Sequence, residues 1–177
     1  LTLEELKDAL EHNFEGVQRE RIRLLLQNKI EKYGNDVPEA DEMLREIYRV
    51  YIENIFSYKN TRYGRGPVGG GFMPSTVTIS SNVPDGGRVG ATPDGRKALQ
   101  PTAEGVSPMH GTEKNGPTSV INSVAKLNTR QMTGGQLLNM RFNPAAVRSK
   151  EDEAKFFSLI ETFFRKKGWH VQFNMIS

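Results

Sequence analysis

The chain has 177 residues, with 24 Lys and Arg against 21 Asp and Glu, a formal charge of +3 and no cysteine. That length suits one domain with a real core, the scattered charge gives no nucleic-acid footprint, and the missing cysteine excludes disulfides, thiolate metal sites and a thiol nucleophile within these residues. No apolar run approaches the roughly eighteen residues a membrane span needs and no signal peptide opens the chain, so a cytoplasmic protein with no membrane partner is expected.

Thr2 with Glu5 three residues on makes a capping box that opens a short helix with Leu3, Leu6 and Leu10 on one face. A second helix is expected from Val17 to about Tyr33, stopped by Gly34. A third begins near Pro38, with Leu44, Ile47, Tyr48, Tyr51, Ile52 and Ile55 as its stripe. Residues 1–60 therefore read as a helical layer, and 61–177 as an α/β segment of the same domain.

From Arg62 to Gly71 five glycines and a proline end any helix. Thr76 to Ser80 then alternates polar and β-branched apolar residues, as a strand with two different faces does, so Val77 and Ile79 share one face. Turn chemistry returns at Pro84-Asp85-Gly86-Gly87 and at Thr92-Pro93-Asp94-Gly95, within an irregular stretch, Gly86 to Pro117, long enough to suggest function. A helix is expected after Gly116-Pro117, with Val120, Ile121, Val124 and Leu127 inward. Gln136 to Phe142 reads as a strand, Ser149 with Asp152 caps a helix to Lys167 that Gly168 ends, and Trp169 to Ile176 reads as a second strand. This is a βαβ unit, whose strands should be parallel.

Gly64-Arg65-Gly66-Pro67-Val68-Gly69 has the GxGxxG spacing, but phosphate binding needs a strand before it and a helix after it, and here the order is reversed. His12, His110 and His170 lie far apart without a carboxylate at metal-ligand spacing; His170 reads as a structural donor to a backbone carbonyl, and His110 stays open. Ser107, Ser119 and Ser123 lack the nucleophile elbow of a hydrolase. Arg88, Arg96 and Lys97 around the Asp94 turn admit two readings, a rigid turn tied by a salt bridge or a clamp for a substrate anion.

Arg88-Val89-Gly90-Ala91-Thr92-Pro93-Asp94-Gly95-Arg96-Lys97-Ala98 resembles the GATPDGR signature of the glycyl radical enzymes, the pyruvate formate-lyase and radical dehydratase family. Glu104-Gly105-Val106-Ser107-Pro108-Met109-His110-Gly111-Thr112 continues it. Gly116 to Val120 with Ser123 to Leu127 resembles the family's next helix, and Gly135 to Asn139 with His170 to Asn174 its two late barrel strands. These four ordered blocks cover about half of the chain, and the helical first third matches only in general character.

The resemblance implies a ten-stranded α/β barrel of two antiparallel five-strand halves, in which the segments around Val77, Leu138 and Phe173 lie side by side. It also implies a glycyl radical installed by a radical S-adenosylmethionine activating enzyme, a cysteine thiyl that abstracts hydrogen from a small-molecule substrate, and a homodimer in the full-length form. This chain has no cysteine and ends before the family's RVSGY-like glycine loop, so no catalytic residue, bound cofactor or metal is assigned here. The expectation is an inactive fragment of a dehydratase or other lyase that cleaves a C–O, C–C or C–N bond. The alternatives are a pyruvate formate-lyase-like acyltransferase and a non-catalytic split subunit completed by a partner chain.

The blocks ending in Ser107-Pro108 and Phe173-Asn174 resemble the glycerol and choline-type lyases, whereas Thr78 to Val83 with Met109-His110-Gly111 resembles pyruvate formate-lyase. In the family's diol dehydratases a tyrosine touches substrate at a strand position that aligns with Val77. The missing hydroxyl counts against a glycerol-like substrate. Val77 and Ile79 are the candidates for substrate-pocket lining, with plain core packing as the competing reading.

Overall fold

The computed structural model describes residues 1–62, 69–77 and 80–176. Helix α1 (Leu3–Glu11) opens on the expected capping box: Thr2 Oγ1 accepts from the Glu5 amide at 3.1 Å and the Thr2 amide donates to Glu5 Oε2 at 2.7 Å. Leu6 and Leu10 pack against α2 (Val17–Lys29) in a small cluster around Ala9, Phe14 and Leu26, while Leu3 is left exposed. Helix α2 stops four residues short of Tyr33 because Ile30 turns to extended backbone. Gly34, at φ +96°, then brings the chain back against the Pro108 ring, and Tyr33 Oη donates to the Val106 carbonyl at 3.0 Å.

Helix α3 (Pro38–Ser57) starts on its proline, as a ring without an N–H does at little cost in a first turn. Its inward stripe is narrower than expected: Tyr48 and Ile52 are buried, whereas Ile47 and Tyr51 are exposed. Beyond it, Lys59 and Gly71 form an antiparallel bridge across the glycine-rich stretch, of which 63–68 lie outside the described residues, the GxGxxG run with them except Gly69.

The expected strand at Thr76 is present as a single parallel bridge, Thr76 to Gln136. Thr78 and Ile79 lie outside the described residues, so the pairing of Ile79 with Val77 on one face is not described. By Ser80 the chain has left the extended form, with φ +61°, and Asn82–Gly86 forms the one-turn helix α4 where a plain turn is expected.

The C-terminal half follows the expected βαβ order. Helix α5 (Pro117–Ala125) buries Val120, Ile121 and Val124. Strand β1 (Leu137–Phe142), helix α6 (Lys150–Arg165) and strand β2 (His170–Met175) follow, and the strands are parallel in the register Leu138 to Val171 and Met140 to Phe173. Ser149 and Asp152 form the second capping box. Helix α6 ends through Lys167 at φ +71°, and Gly168 lies against Phe163, whose ring would stand 2.3 Å from a Cβ there.

One core joins these parts: Tyr48 and Ile52 of α3, Val120, Ile121 and Val124 of α5, Leu138 and Met140 of β1, and Phe163 of α6. Strand alternation puts Leu138, Met140 and Phe142 with Val171 and Phe173 on the helix-packed face. The segments around Val77, Leu138 and Phe173 thus lie in neighbouring positions, in that order, as the sequence resemblance requires.

Candidate functional site

The sheet face turned away from this core carries Leu137, Asn139 and Arg141 from β1 beside His170, Gln172 and Asn174 from β2. Their side chains form a chain of amides: Gln172 Nε2 donates to Asn174 Oδ1 at 3.1 Å and Asn174 Nδ2 donates to Asn139 Oδ1 at 3.1 Å. Because Thr76 pairs with Gln136, the half-buried Val77 falls at the height of Leu137 and on this same polar face.

The free edge of β1 is shared between two segments. Thr76 N donates to the Gly135 carbonyl at 3.0 Å; two residues further, Val106 N donates to the Leu137 carbonyl at 2.8 Å, and Asn139 N donates to Ser107 Oγ at 2.8 Å. Gly105 makes the handover, at φ +59°, with Leu137 O and Thr76 O both within 3 Å of the place a Cβ would take. Sequence reading places Ser107 only among weak nucleophiles; here its hydroxyl is an acceptor that ends the strand edge.

Past Ser107 the edge opens into a hollow of about 250 Å³ lined by His110, Glu113, Val120, Asn139, Arg141 and Phe142, among others. His110, Glu113 and Arg141 thus line one hollow, a grouping that sequence spacing does not reveal, and Val77 is not in this lining. His170 opens β2 as expected, but its exposed ring makes no hydrogen bond among the described residues, so the carbonyl-donor reading is corrected. Asp8 and His12 stand one helical turn apart, with the ring Nδ1 3.2 Å from Asp8 Oδ1, and no third potential metal ligand joins them among the described residues.

The long loop is tied down by Arg96, which is 4% exposed. Its guanidinium donates to the carbonyls of Val89, Gly90, Lys97 and Gln100 and to Thr92 Oγ1. Asp94 Oδ1 accepts from the Thr92 hydroxyl and from the Arg96 amide, closing the Asx turn. Of the two sequence readings, the anion clamp fails for Arg96, whose donors are already spent on four carbonyls and the Thr92 hydroxyl. The salt bridge also lies elsewhere, with Lys97 Nζ 3.8 Å from Glu20 of α2.

The strongest charge cluster sits on the helix side. Lys126 Nζ is 2.6 Å from Asp36 Oδ1 and 2.6 Å from Asp41 Oδ2, and Asp41 has no exposure. The Lys126 and Asn122 side chains hold the Asp36 carboxyl below its ordinary pKa, against a smaller upward push from burial. Burial alone would pull the Lys126 ammonium down, but Asp36 and Asp41 outweigh it and hold it above its usual value. Tyr33 and Tyr48 are pushed up by burial, in Tyr48 against the downward pull of the Thr76 and Gln136 side chains. Among the described residues no group of three His, Asp or Glu could hold a metal ion.

Two family models match the chain: pyruvate formate lyase-like over residues 1–86 and glycine radical over residues 102–177. A probable dehydratase of Escherichia coli is 48% identical over 175 residues, covering 98% of this chain and 22% of that protein. Trans-4-hydroxy-L-proline dehydratase of Clostridioides difficile is 38% identical over 174 residues, again 98% of this chain but 21% of the relative. The glycerol-bound B12-independent glycerol dehydratase of Clostridium butyricum superposes with a TM-score of 0.89 at 42% identity, over 100% of this chain and 21% of its own. The chain therefore spans about a fifth of the length of the proteins it matches. With both halves matched and the fold reproduced from end to end, the chain belongs to the glycyl radical enzyme family.

Proposed function

We propose that these residues are wall and strut of a glycyl radical lyase, a dehydratase acting on a small hydroxylated metabolite. The observation that carries this reading is the chain-long likeness to two dehydratases and a glycerol-bound dehydratase structure. The glycine radical, once installed, supplies hydrogen abstraction through a thiyl group, and this chain has no cysteine to bear one. What its own residues do is hold the wall: Val77 contributes an apolar patch, Asn139, Gln172 and Asn174 a fixed row of amides, and the helix-packed core behind them excludes water. Sequence alternation makes Ile79, which lies outside the described residues, the second proposed lining residue, and residues 1–60 and 61–177 are proposed as one barrel domain with strands outside this chain.

On this reading the partners are a radical S-adenosylmethionine activating enzyme and a second copy of the full-length protein, in the cytoplasm, and residues 1–177 alone do not turn over substrate. Anaerobic activation of the natural protein that carries this segment, followed by electron paramagnetic resonance and product assays with glycerol, propane-1,2-diol and trans-4-hydroxy-L-proline, tests it. An organic radical doublet and loss of water from one of these compounds are expected. An activated sample with no organic radical would overturn the reading. The acyltransferase alternative rests on the name of the family model over residues 1–86 and would show as formate exchange into pyruvate.

A further inference from the structure

Two tyrosines of α3, one turn apart, reach the short segment that leads into Val77. Tyr51 Oη donates to the Ser75 carbonyl at 3.1 Å and accepts from the Ser75 amide at 3.3 Å, so one hydroxyl closes on both main-chain groups of one residue. Ser75 is tied in turn to the approach of β1: Ser75 Oγ donates to the Gly134 carbonyl at 3.2 Å, and Gly134 N donates to the Pro74 carbonyl at 2.9 Å. One residue on, Thr76 makes the bridge to Gln136, and the buried Tyr48 hydroxyl faces the side chains of both. Thr76 Oγ1 and both polar atoms of Gln136 are buried without a hydrogen-bond partner of ordinary geometry, although Gln136 is only 1% exposed. These unpartnered atoms cost free energy for as long as the junction stays closed, so the Thr76 to Gln136 pairing depends on what presses on it from α3.

That pairing decides where Val77 stands. A one-residue slip would turn Val77 from the polar face to the helix face, and a partial slip would change its height against Leu137. Val77 Cγ2 stands 3.0 Å from the place a Cβ on Gly135 would take, so the segment sits over a glycine where a larger side chain would push Val77 away. We infer that Tyr48 and Tyr51 are positioning residues that set the register of the Val77 segment against β1 and through it the shape of the substrate wall. This rests on the reading of Val77 as wall.

The test uses the natural protein carrying Tyr51→Phe, which removes both bonds to Ser75 and keeps the ring, together with Tyr48→Phe, Val77→Ala and the double variant Tyr51→Phe/Val77→Ala. Deuterium uptake over 73–77, read in the unactivated protein, should rise about fivefold in Tyr51→Phe, the size of one lost hydrogen-bond contribution. In the activated protein, KM for whichever of glycerol, propane-1,2-diol or trans-4-hydroxy-L-proline is turned over should rise by a similar factor, with radical content per chain retained. The Tyr51 and Val77 effects on KM should not add, since both act on one wall. Unchanged uptake over 73–77 overturns the register role. Uptake that rises while KM responds to neither Tyr51→Phe nor Val77→Ala leaves the register role standing and removes the wall reading. A KM that responds to Val77→Ala alone, or additive effects in the double variant, does the opposite.

Discussion

The carbonyl oxygen of Leu137 lies 2.2 Å from the point where a Cβ on Gly105 would stand, with the Thr76 carbonyl 2.8 Å from the same point. Both obstacles are main-chain atoms of the strand edge, so neither can swing aside, and the φ of +59° is one that L side chains rarely adopt. Gly105→Ala should therefore force Val106 off Leu137, with a loss of at least about 3 kcal/mol. Urea unfolding of the natural protein checks this, and a midpoint like wild type would refute it.

Arg96 makes a second sharp case. Its guanidinium ties carbonyls on both arms of the loop, from Val89 and Gly90 to Lys97 and Gln100. Arg96→Lys keeps the charge but offers a single ammonium that cannot span four carbonyls, so it should destabilise by about 2–4 kcal/mol, nearly as much as Arg96→Ala. Limited proteolysis should cut both variants within 87–101 well before wild type. Full protection of Arg96→Lys would show that charge alone suffices.

How far the residues announce this arrangement varies with the physics involved. Capping boxes and strand alternation act within a few residues, which is why α1, α6 and the parallel pairing of β1 with β2 follow from reading alone. Arg96 was readable only as a charge beside a turn, because its partners are carbonyls and a carbonyl leaves no mark in side-chain identity. The same holds for Tyr51, which pattern placed in the apolar stripe of α3 and which instead closes on the Ser75 main chain. His110 and Glu113 line one hollow with Arg141 although it stands far from both in the chain, a long-range arrangement with no local signature. The resemblance supplied what periodicity could not, that the segments around Val77, Leu138 and Phe173 stand side by side.

Acid should weaken the junction of α3 and α5. Asp36, bonded to Lys126 Nζ at 2.6 Å and Asn122 Nδ2 at 2.8 Å, has its folded pKa lowered by those two partners. With an unfolded pKa of about 3.9, its contribution is whole above roughly pH 5 and is lost as pH falls through the lower folded value. The pair is over one-third exposed, so this slope should amount to well under about 1 kcal/mol. Lys126→Met should reduce it, leaving the Asn122 share, and also lower stability at pH 7 by about 3 kcal/mol, since it strips the partner from Asp41, a carboxylate with no exposure. Melting curves from pH 3 to 7 separate the two effects, and a variant as stable as wild type at neutral pH would contradict the second.

Val77 offers the last and most direct discrimination, between a wall residue and a packed core residue. Threonine has nearly the same shape as valine but carries a hydroxyl, which costs about 1–3 kcal/mol when buried without a partner and little when it faces a wet pocket. Val77 is only half-buried and lies at the height of Leu137, on the face that carries Asn139 and Asn174. Val77→Thr should therefore leave the melting temperature of the natural protein within about 1 °C, because a hydroxyl on a wet pocket wall keeps water as its partner. Turnover should change instead: the added hydroxyl offers a hydrogen bond to a hydroxylated substrate, and KM for glycerol or propane-1,2-diol should fall by roughly threefold or more. A melting point lowered by several degrees with KM unchanged would place Val77 in the core and leave the wall to the amides of β1 and β2.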